Sequence, residues 1–440
     1  MVSVPRPRAG TAARRVLRLA YKTVRRFGLL PPGIPDRYGD DDRLAGSSFP
    51  QTVLVYFADT RESLYQLREW YGPLRALDDR HPVVLVFQDS RTAAIVRQEL
   101  SLPAHTIARY SALDALLARS EVKLALYVNH NPQNFSALRF TSLAHVYLGH
   151  GESDKGVMVS NQCKAYDFWF VAGKAAIDRI TAYTMFYDAE HRCVPIGRPQ
   201  LDFDRPVGAS TTPLPTDGRP GDRTGAGRQT VLYAPTWEGA QPSLAYGSLP
   251  THGVALVRAL LASGRFDVAY RPHPLTGVTA TEHGDADATV RDMIAKAATT
   301  DPAAAHRVDV DRTLYEVMAD ADLLVCDVSA VAIDWLPSGR PMVVTEPASP
   351  DVVTAKTPLL DIVPRLTASA SADERGVVSL LSEQLEEDPT KRQRADLVDL
   401  YFGDTSPGSA TRRFLDACTA TIAWRDAEWA RVRANGPAGP

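Results

Sequence analysis

Short, continuous apolar runs recur along the chain: QTVLVYF (51–57), PVVLVFQ (82–88), KLALYVN (123–129), HVYLG (145–149) and YDFWFV (166–171). After a gap the pattern restarts with TVLYAP (230–235), FDVAYRP (266–272), HRVDV (306–310), DLLVCD (322–327) and PMVVTEP (341–347). Runs without polar alternation predict strands covered on both faces. Between them lie stretches with helical spacing: RESLYQLREWYGPLRAL, RTAAIVRQEL and GKAAIDRI in the first half, and 251–263, 287–299, 312–320 and 329–337 in the second. Strands alternating with helices predict parallel sheets with helices on both sides.

The gap at 204–228 holds clustered Pro, Gly, Thr and Asp and almost no apolar residues, so it reads as a linker or surface loop. The fold expected is therefore α/β, with two doubly wound Rossmann-like domains facing a cleft. The divisions are an N-terminal segment (1–45), a first domain (46–203), the linker (204–228), a second domain (229–404) and a C-terminal helix and tail (405–440). In 409–433, Phe414, Leu415, Cys418, Ile422 and Trp429 fall mostly on one helical face. That face must be buried, and a crossing back onto the first domain is one way to bury it.

Charge changes the picture at one end only. The net charge of −3 gives no nucleic-acid signature. Residues 1–30, however, carry eight bases and no acid; removing those eight from 49 leaves 41 bases against 52 acids, a balance of −11. Val16, Leu17, Ala20, Val24 and Phe27 sit near helical spacing among these bases. This reads as an amphipathic helix for an anionic membrane surface, the alternative being a disordered basic tail. It is no secretory signal, since Arg18, Lys22, Arg25 and Arg26 interrupt its apolar stretch. No stretch reaches the ~18–20 apolar residues of a membrane span. Cys163, Cys193, Cys326 and Cys418 have no metal-ligand spacing and are expected as buried free thiols. No carboxylate cluster stands out, so neither a metal nor a cofactor is expected.

The candidate chemistry sits at strand ends, where a cleft ligand of a doubly wound sheet is met. HVYLG leads into His150, Gly151 and Lys155; TVLYAP into Thr236, Trp237 and Glu238; FDVAY into Arg271 and His273; DLLVC into Asp327 and Ser329. Arg271 and Lys155 suit phosphate. Ser329 at the start of 329–337 can cap a helix whose amides face the cleft; the alternative for Asp327 is to cap with it. Gly149 and Gly151 allow close backbone approach around His150. Histidine is the natural proton acceptor near neutral pH, and two at facing strand ends can divide base and charge-stabilising work. Each motif alone also has a bland reading as turn, cap or packing; their joint placement favours function.

In order, HGESDK (150–155), GRPQLD (197–202), YAPTW (233–237), RPHP (271–274) and DVSA (327–330) resemble the pattern of the CDP-glycerol glycerophosphotransferases of wall teichoic acid synthesis, over roughly 120–415. The start of the last helix, SPGSATRRF (406–414), resembles the family's as well. The resemblance implies a GT-B fold and transfer of a polyol phosphate from a CDP-linked donor to an acceptor hydroxyl. It implies that His150 and His273 are the essential pair, His150 as base and His273 with Arg271 on the donor pyrophosphate. Thr236, Asp327 and Ser329 match donor-contacting positions, and Gly151 and Lys155 join them as candidate phosphate-binding residues on the chemistry above. Partners implied are a lipid-linked or polymer acceptor and the cytoplasmic face of the membrane. The chain departs from the pattern at Glu152-Ser153, at Gln200 and at Val328 and Ala330. The departures leave open whether glycerol, ribitol or another headgroup is carried. An ordinary GT-B glycosyltransferase using a nucleotide sugar, or a non-catalytic nucleotide-binding protein, are the competing readings.

Overall fold

A computed structural model describes residues 36–155, 161–203, 228–239, 241, 244–349, 352 and 356–435. The basic segment and most of the 204–228 stretch lie outside the described residues.

The first sheet is built from β1 (Val53–Phe57), β2 (Val83–Phe87), β3 (Ala104–Thr106), β4 (Leu124–Tyr127), β5 (Ala144–Tyr147), β6 (Phe168–Val171) and β7 (Cys193–Pro195). Their order is β3-β2-β1-β4-β5-β6-β7 and every pair is parallel. The second contains β8 (Gln229–Ala234), β9 (Phe266–Tyr270), β10 (Arg307–Val308), β11 (Leu323–Cys326), β12 (Met342–Thr345) and β13 (Arg365–Leu366). Its order, β10-β9-β8-β11-β12-β13, repeats the first, again all parallel. In both, the winding reverses beside the first strand, between β1 and β4 and between β8 and β11, and opens a crevice at their carboxyl ends.

Full burial explains the unbroken apolar runs. β1, β2, β4 and β5 are buried at every position. In the register, Val55 pairs with Leu85 on one side and Leu126 on the other. Odd positions of β1 pack into one apolar layer and even positions into the opposite one, so both faces are covered. Each such side chain contributes about 1.5–3 kcal/mol over exposure.

Sequence spacing missed three short strands, β3, β7 and β13, which have too few residues to show a pattern. The 61–77 stretch is not one helix. It divides into a 3-10 turn (Arg61–Ser63), Leu64–Arg68 and Tyr71–Asp78. The last helix, Ser409–Ala434, does cross back. Phe414, Cys418 and Ile422 join the first sheet's core, and Phe414 packs on Trp70 with ring centroids 5.4 Å apart. Asp202 of GRPQLD accepts Gly408 N–H at 3.1 Å and Thr411 N–H at 2.8 Å, and so caps that helix. The four cysteines are free and buried. Among the described residues no helix is long and apolar enough to cross a membrane, and no group of side chains could hold a metal ion.

Candidate active site

The His150 loop leaves β5 through Gly149, whose φ of 68° is in the left-handed region that favours glycine. The Gly149 carbonyl accepts the Trp70 indole N–H at 2.7 Å. Gly151 then passes the start of helix Ala330–Trp335, where an added Cβ would lie 3.0 Å from that of Ala330. The loop of the first unit is therefore seated on the β11 end of the second.

The acids flanking Ser153 turn away from the cleft. Arg179, on helix Lys174–Tyr183, binds Glu152 and reaches Asp154 Oδ1 at 2.9 Å. Asp154 Oδ2 accepts the Thr357 hydroxyl at 2.6 Å and the Tyr401 hydroxyl at 2.9 Å. All three charged groups are buried. Burial pushes both carboxyls up, and Arg179 opposes it. The acids pin the loop.

Asp327 is fully buried and acts as an internal acceptor. Its Oδ2 receives Thr236 N–H at 2.7 Å and Ser248 N–H at 3.2 Å; Oδ1 receives the Thr345 hydroxyl at 2.6 Å. It ties the ends of β8, β11 and β12 together and does not cap the following helix. Ser329 occupies the N-cap position, but its hydroxyl makes no capping bond, which corrects the expected cap. Its Oγ is buried with no hydrogen-bond partner. Ser329 thus keeps an unspent donor, and Asp327 is committed to the protein. Helix 329–337 of the sequence reading is Ala330–Trp335 followed by a 3-10 turn, Leu336–Ser338.

Lys155 crosses to the second unit. Its ammonium is 3.3 Å from Thr236 Oγ1 and 5.2 Å from the Tyr246 ring centroid. Desolvation brings it down to about 8, with Asp327 resisting. Arg271 donates to the Asp309 carbonyl at 3.1 Å. Glu238, buried and next to Trp237 in sequence, accepts Gly277, Thr279 and Ala280 N–H at 3.0, 2.7 and 3.0 Å, and fixes the turn that follows RPHP.

The two histidines come together. Tyr65, on helix Leu64–Arg68, lies edge-on to both, 5.6 Å from the His273 ring centroid and 6.1 Å from that of His150. Trp237 stacks on His273 at 6.2 Å. His273 Nδ1 accepts Leu275 N–H at 3.1 Å, so in the neutral ring the proton sits on Nε2 and can be donated. His150 Nδ1 is buried without a partner. Desolvation lowers His150 to about 4, helped by Arg198, His130 and Lys155. His273 is lowered to about 3 by desolvation and then by Lys155, with His150 and Arg271 adding to this and Glu238 opposing it. Both rings are neutral near pH 7 (a buried cation is costly beside other cations).

Sequence reasoning missed Tyr65, Arg198 and Arg179 as parts of this assembly. Arg198, the second residue of GRPQLD, is buried in a bidentate pair with Asp334 of the second unit. The opposite charges at 198 and 334 gave no signal until topology paired them. Tyr65 sits in a helical run that reads as packing alone.

The profile of the family described as CDP-glycerol:poly(glycerophosphate) glycerophosphotransferase matches residues 133–419. A structure of the wall teichoic acid polymerase TagF, a variant soaked with CDPG, is similar at a TM-score of 0.52 and 14% identity, covering 95% of this chain and 99% of that one. Another TagF structure gives 0.51 and 15%, covering 94% and 98%. The S. aureus MnaA–UDP co-structure gives 0.50 and 11%, covering 85% and 97%. At these identities the likeness shows the fold, which is GT-B. No curated protein matches the chain.

Proposed function

Because the chain belongs to the CDP-glycerol:poly(glycerophosphate) glycerophosphotransferase family, we propose a reaction path for it as a polyol-phosphate transferase. An acceptor hydroxyl attacks the donor phosphorus that carries the polyol. The bond from that phosphorus to the bridging oxygen breaks, CMP leaves, and the hydroxyl proton passes to His150. The observation that carries the reading is the pairing of His150 and His273 across the cleft around one aromatic ring.

Phosphoryl transfer is catalysed mostly by positioning and charge stabilisation. His273 presents its Nε2–H to a phosphoryl oxygen, because Leu275 occupies Nδ1. Lys155 and Arg271 meet the donor's phosphates, Ser329 adds its unspent hydroxyl, and Gly151 lets the backbone come close. Thr236 and Asp327 hold the strand ends in place. The low value of His150 makes it a weak base by itself. An anionic diphosphate beside Lys155 screens that cation, adds its own negative charge and raises His150 toward the useful range. Donor binding thus prepares the base it needs.

A CDP-linked polyol donor is supported by the CDPG soaked into the TagF crystals. The acceptor proposed is a lipid-linked or growing teichoic-acid-like polymer at the cytoplasmic face, approached through the basic residues 1–30. Following CMP release from CDP-glycerol and CDP-ribitol, against UDP or GDP release from nucleotide sugars, tests the donor. Release of UDP or GDP alone would make the protein an ordinary GT-B glycosyltransferase. Full turnover by both His150→Ala and His273→Ala would remove the mechanism. Unchanged pelleting with anionic vesicles after removal of 1–30 would remove the membrane contact.

A further inference from the structure

We propose that Tyr65 is a positioning residue, a wedge whose ring sets the separation of His150 and His273 and excludes water from both. The proposal rests on the reading of these histidines as the reacting pair. Tyr65 belongs to the first unit, as does His150, whereas His273 arrives from the second. One ring therefore senses whether the two units are in register.

The helix carrying Tyr65 does not need it for packing. Leu64 and Leu67 are buried in the first sheet's core, and Tyr65 is not part of that cluster. Its ring is instead turned to the cleft, with both imidazole planes at 84° to it. The hydroxyl is anchored behind. It accepts Gln66 Nε2–H at 3.2 Å, and Gln66 Oε1 accepts Asn129 Nδ2–H at 2.8 Å. Asn129 also donates to Asp59 at 3.3 Å. This chain runs between the ends of β1 and β4, where the first sheet's winding reverses. The crevice of the first sheet is thus coupled through Tyr65 to the histidine of the second.

With the ring in place both imidazoles are half-buried, and His150 Nδ1 is out of contact with water. The charged and titratable groups facing them are Arg198, His130 and Lys155 around His150, and Lys155, His150, Glu238 and Arg271 around His273. Asp59 and Glu69 face Tyr65 itself, and burial chiefly keeps its phenol neutral. Loss of the ring leaves all these charges in place and admits solvent. Both histidines should then rise toward the ordinary value of ~6.5. Misplacement of a reacting group by about an ångström costs ~100-fold in rate.

The test compares Tyr65→Phe and Tyr65→Ala in the full chain. Imidazole titrations are read by NMR, with His150→Asn and His273→Asn to assign the signals, alongside kcat, KM and pH profiles with CDP-glycerol. Tyr65→Ala is expected to lower kcat ~100-fold with little change in KM, and to move the acid limb upward by a unit or more. Tyr65→Phe keeps the ring and is expected to stay within ~3-fold of wild type with unmoved titrations. Unmoved imidazole titrations in a folded Tyr65→Ala protein would overturn the proposal, as would a Tyr65→Phe protein as slow as Tyr65→Ala. Should wild type turn over no CDP-linked donor, the catalytic reading fails, and the titrations still decide whether Tyr65 is the wedge.

Discussion

Arg198 and Asp334 meet across the two units in a buried two-pronged ion pair, Nε to Oδ1 at 2.9 Å and Nη2 to Oδ2 at 2.9 Å. The Tyr315 hydroxyl donates to Asp334 at 3.2 Å and lies 3.3 Å from Arg198 and 3.4 Å from Glu69, which extends the contact back to the first unit. The pair pushes Arg198 above its ordinary value despite burial. Removing one partner strands the other charge away from water. Arg198→Leu is expected to cost about 3–5 kcal/mol in urea unfolding, and Arg198→Leu with Asp334→Leu to recover most of it. A double variant no more stable than Arg198→Leu would show that packing, not charge, holds this contact.

Glu152 departs from the family pattern two residues after His150, yet it faces Arg179. Glu152→Gln keeps an acceptor for Arg179, so the expected loss of stability is within about 1–3 kcal/mol. Its ranking of CDP-glycerol, CDP-ribitol and nucleotide sugars should match that of wild type. A changed ranking in donor competition would return this residue to the cleft. Arg179→Leu is the severe change, about 3–5 kcal/mol, because two buried carboxylates then lose their cation.

These two residues show what could be read in advance. The strands, their parallel pairing and the strand-end set of His150, Thr236, Arg271, His273 and Asp327 follow from local pattern, since burial on both faces writes itself as apolar runs. Direction does not follow. Glu152 and Asp154 alternate with Ser153 in a loop, and only the placement of Arg179 on a later helix says which way they point. Asp327 looked like a ligand group or a cap, and became the acceptor that joins β8, β11 and β12. Tyr65 needed both sheets in place before it could be seen between two histidines. Long-range pairing decides each of these, and one chain's local spacing does not carry it.

The pH profile of kcat/KM should be asymmetric about the usual histidine value. In the proposed reaction each histidine must be neutral to act, and burial holds His150 at about 4 and His273 at about 3. The acid limb is therefore expected well below ~6.5. Lys155 must be protonated, and desolvation brings it to about 8, so activity falls as pH rises through that value. Lys155→Arg, which holds its charge to a much higher pH, should lose that basic limb. An acid limb at ~6.5 with a basic limb unmoved in Lys155→Arg would assign both limbs to other groups.

Stability should carry the same signature with a defined sign. An unfolded His150 binds a proton below ~6.5, whereas the folded one stays neutral down to about 4. Between those values the unfolded state holds more protons, so stability rises with pH and is lost as pH falls from ~6.5 toward 4. The carboxyls of Glu152, Asp154 and Asp327 are raised by burial and slope the other way, so the bare curve of wild type mixes both. The difference between wild type and His150→Asn isolates the imidazole, because Asn does not titrate. That difference should shift toward His150→Asn as the buffer is taken from about pH 7 to about pH 5, measured by urea midpoints at constant slope. A difference that is flat over this range would mean that the His150 ring is solvated in the folded protein, and the water-excluding role of the Tyr65 ring would fall with it.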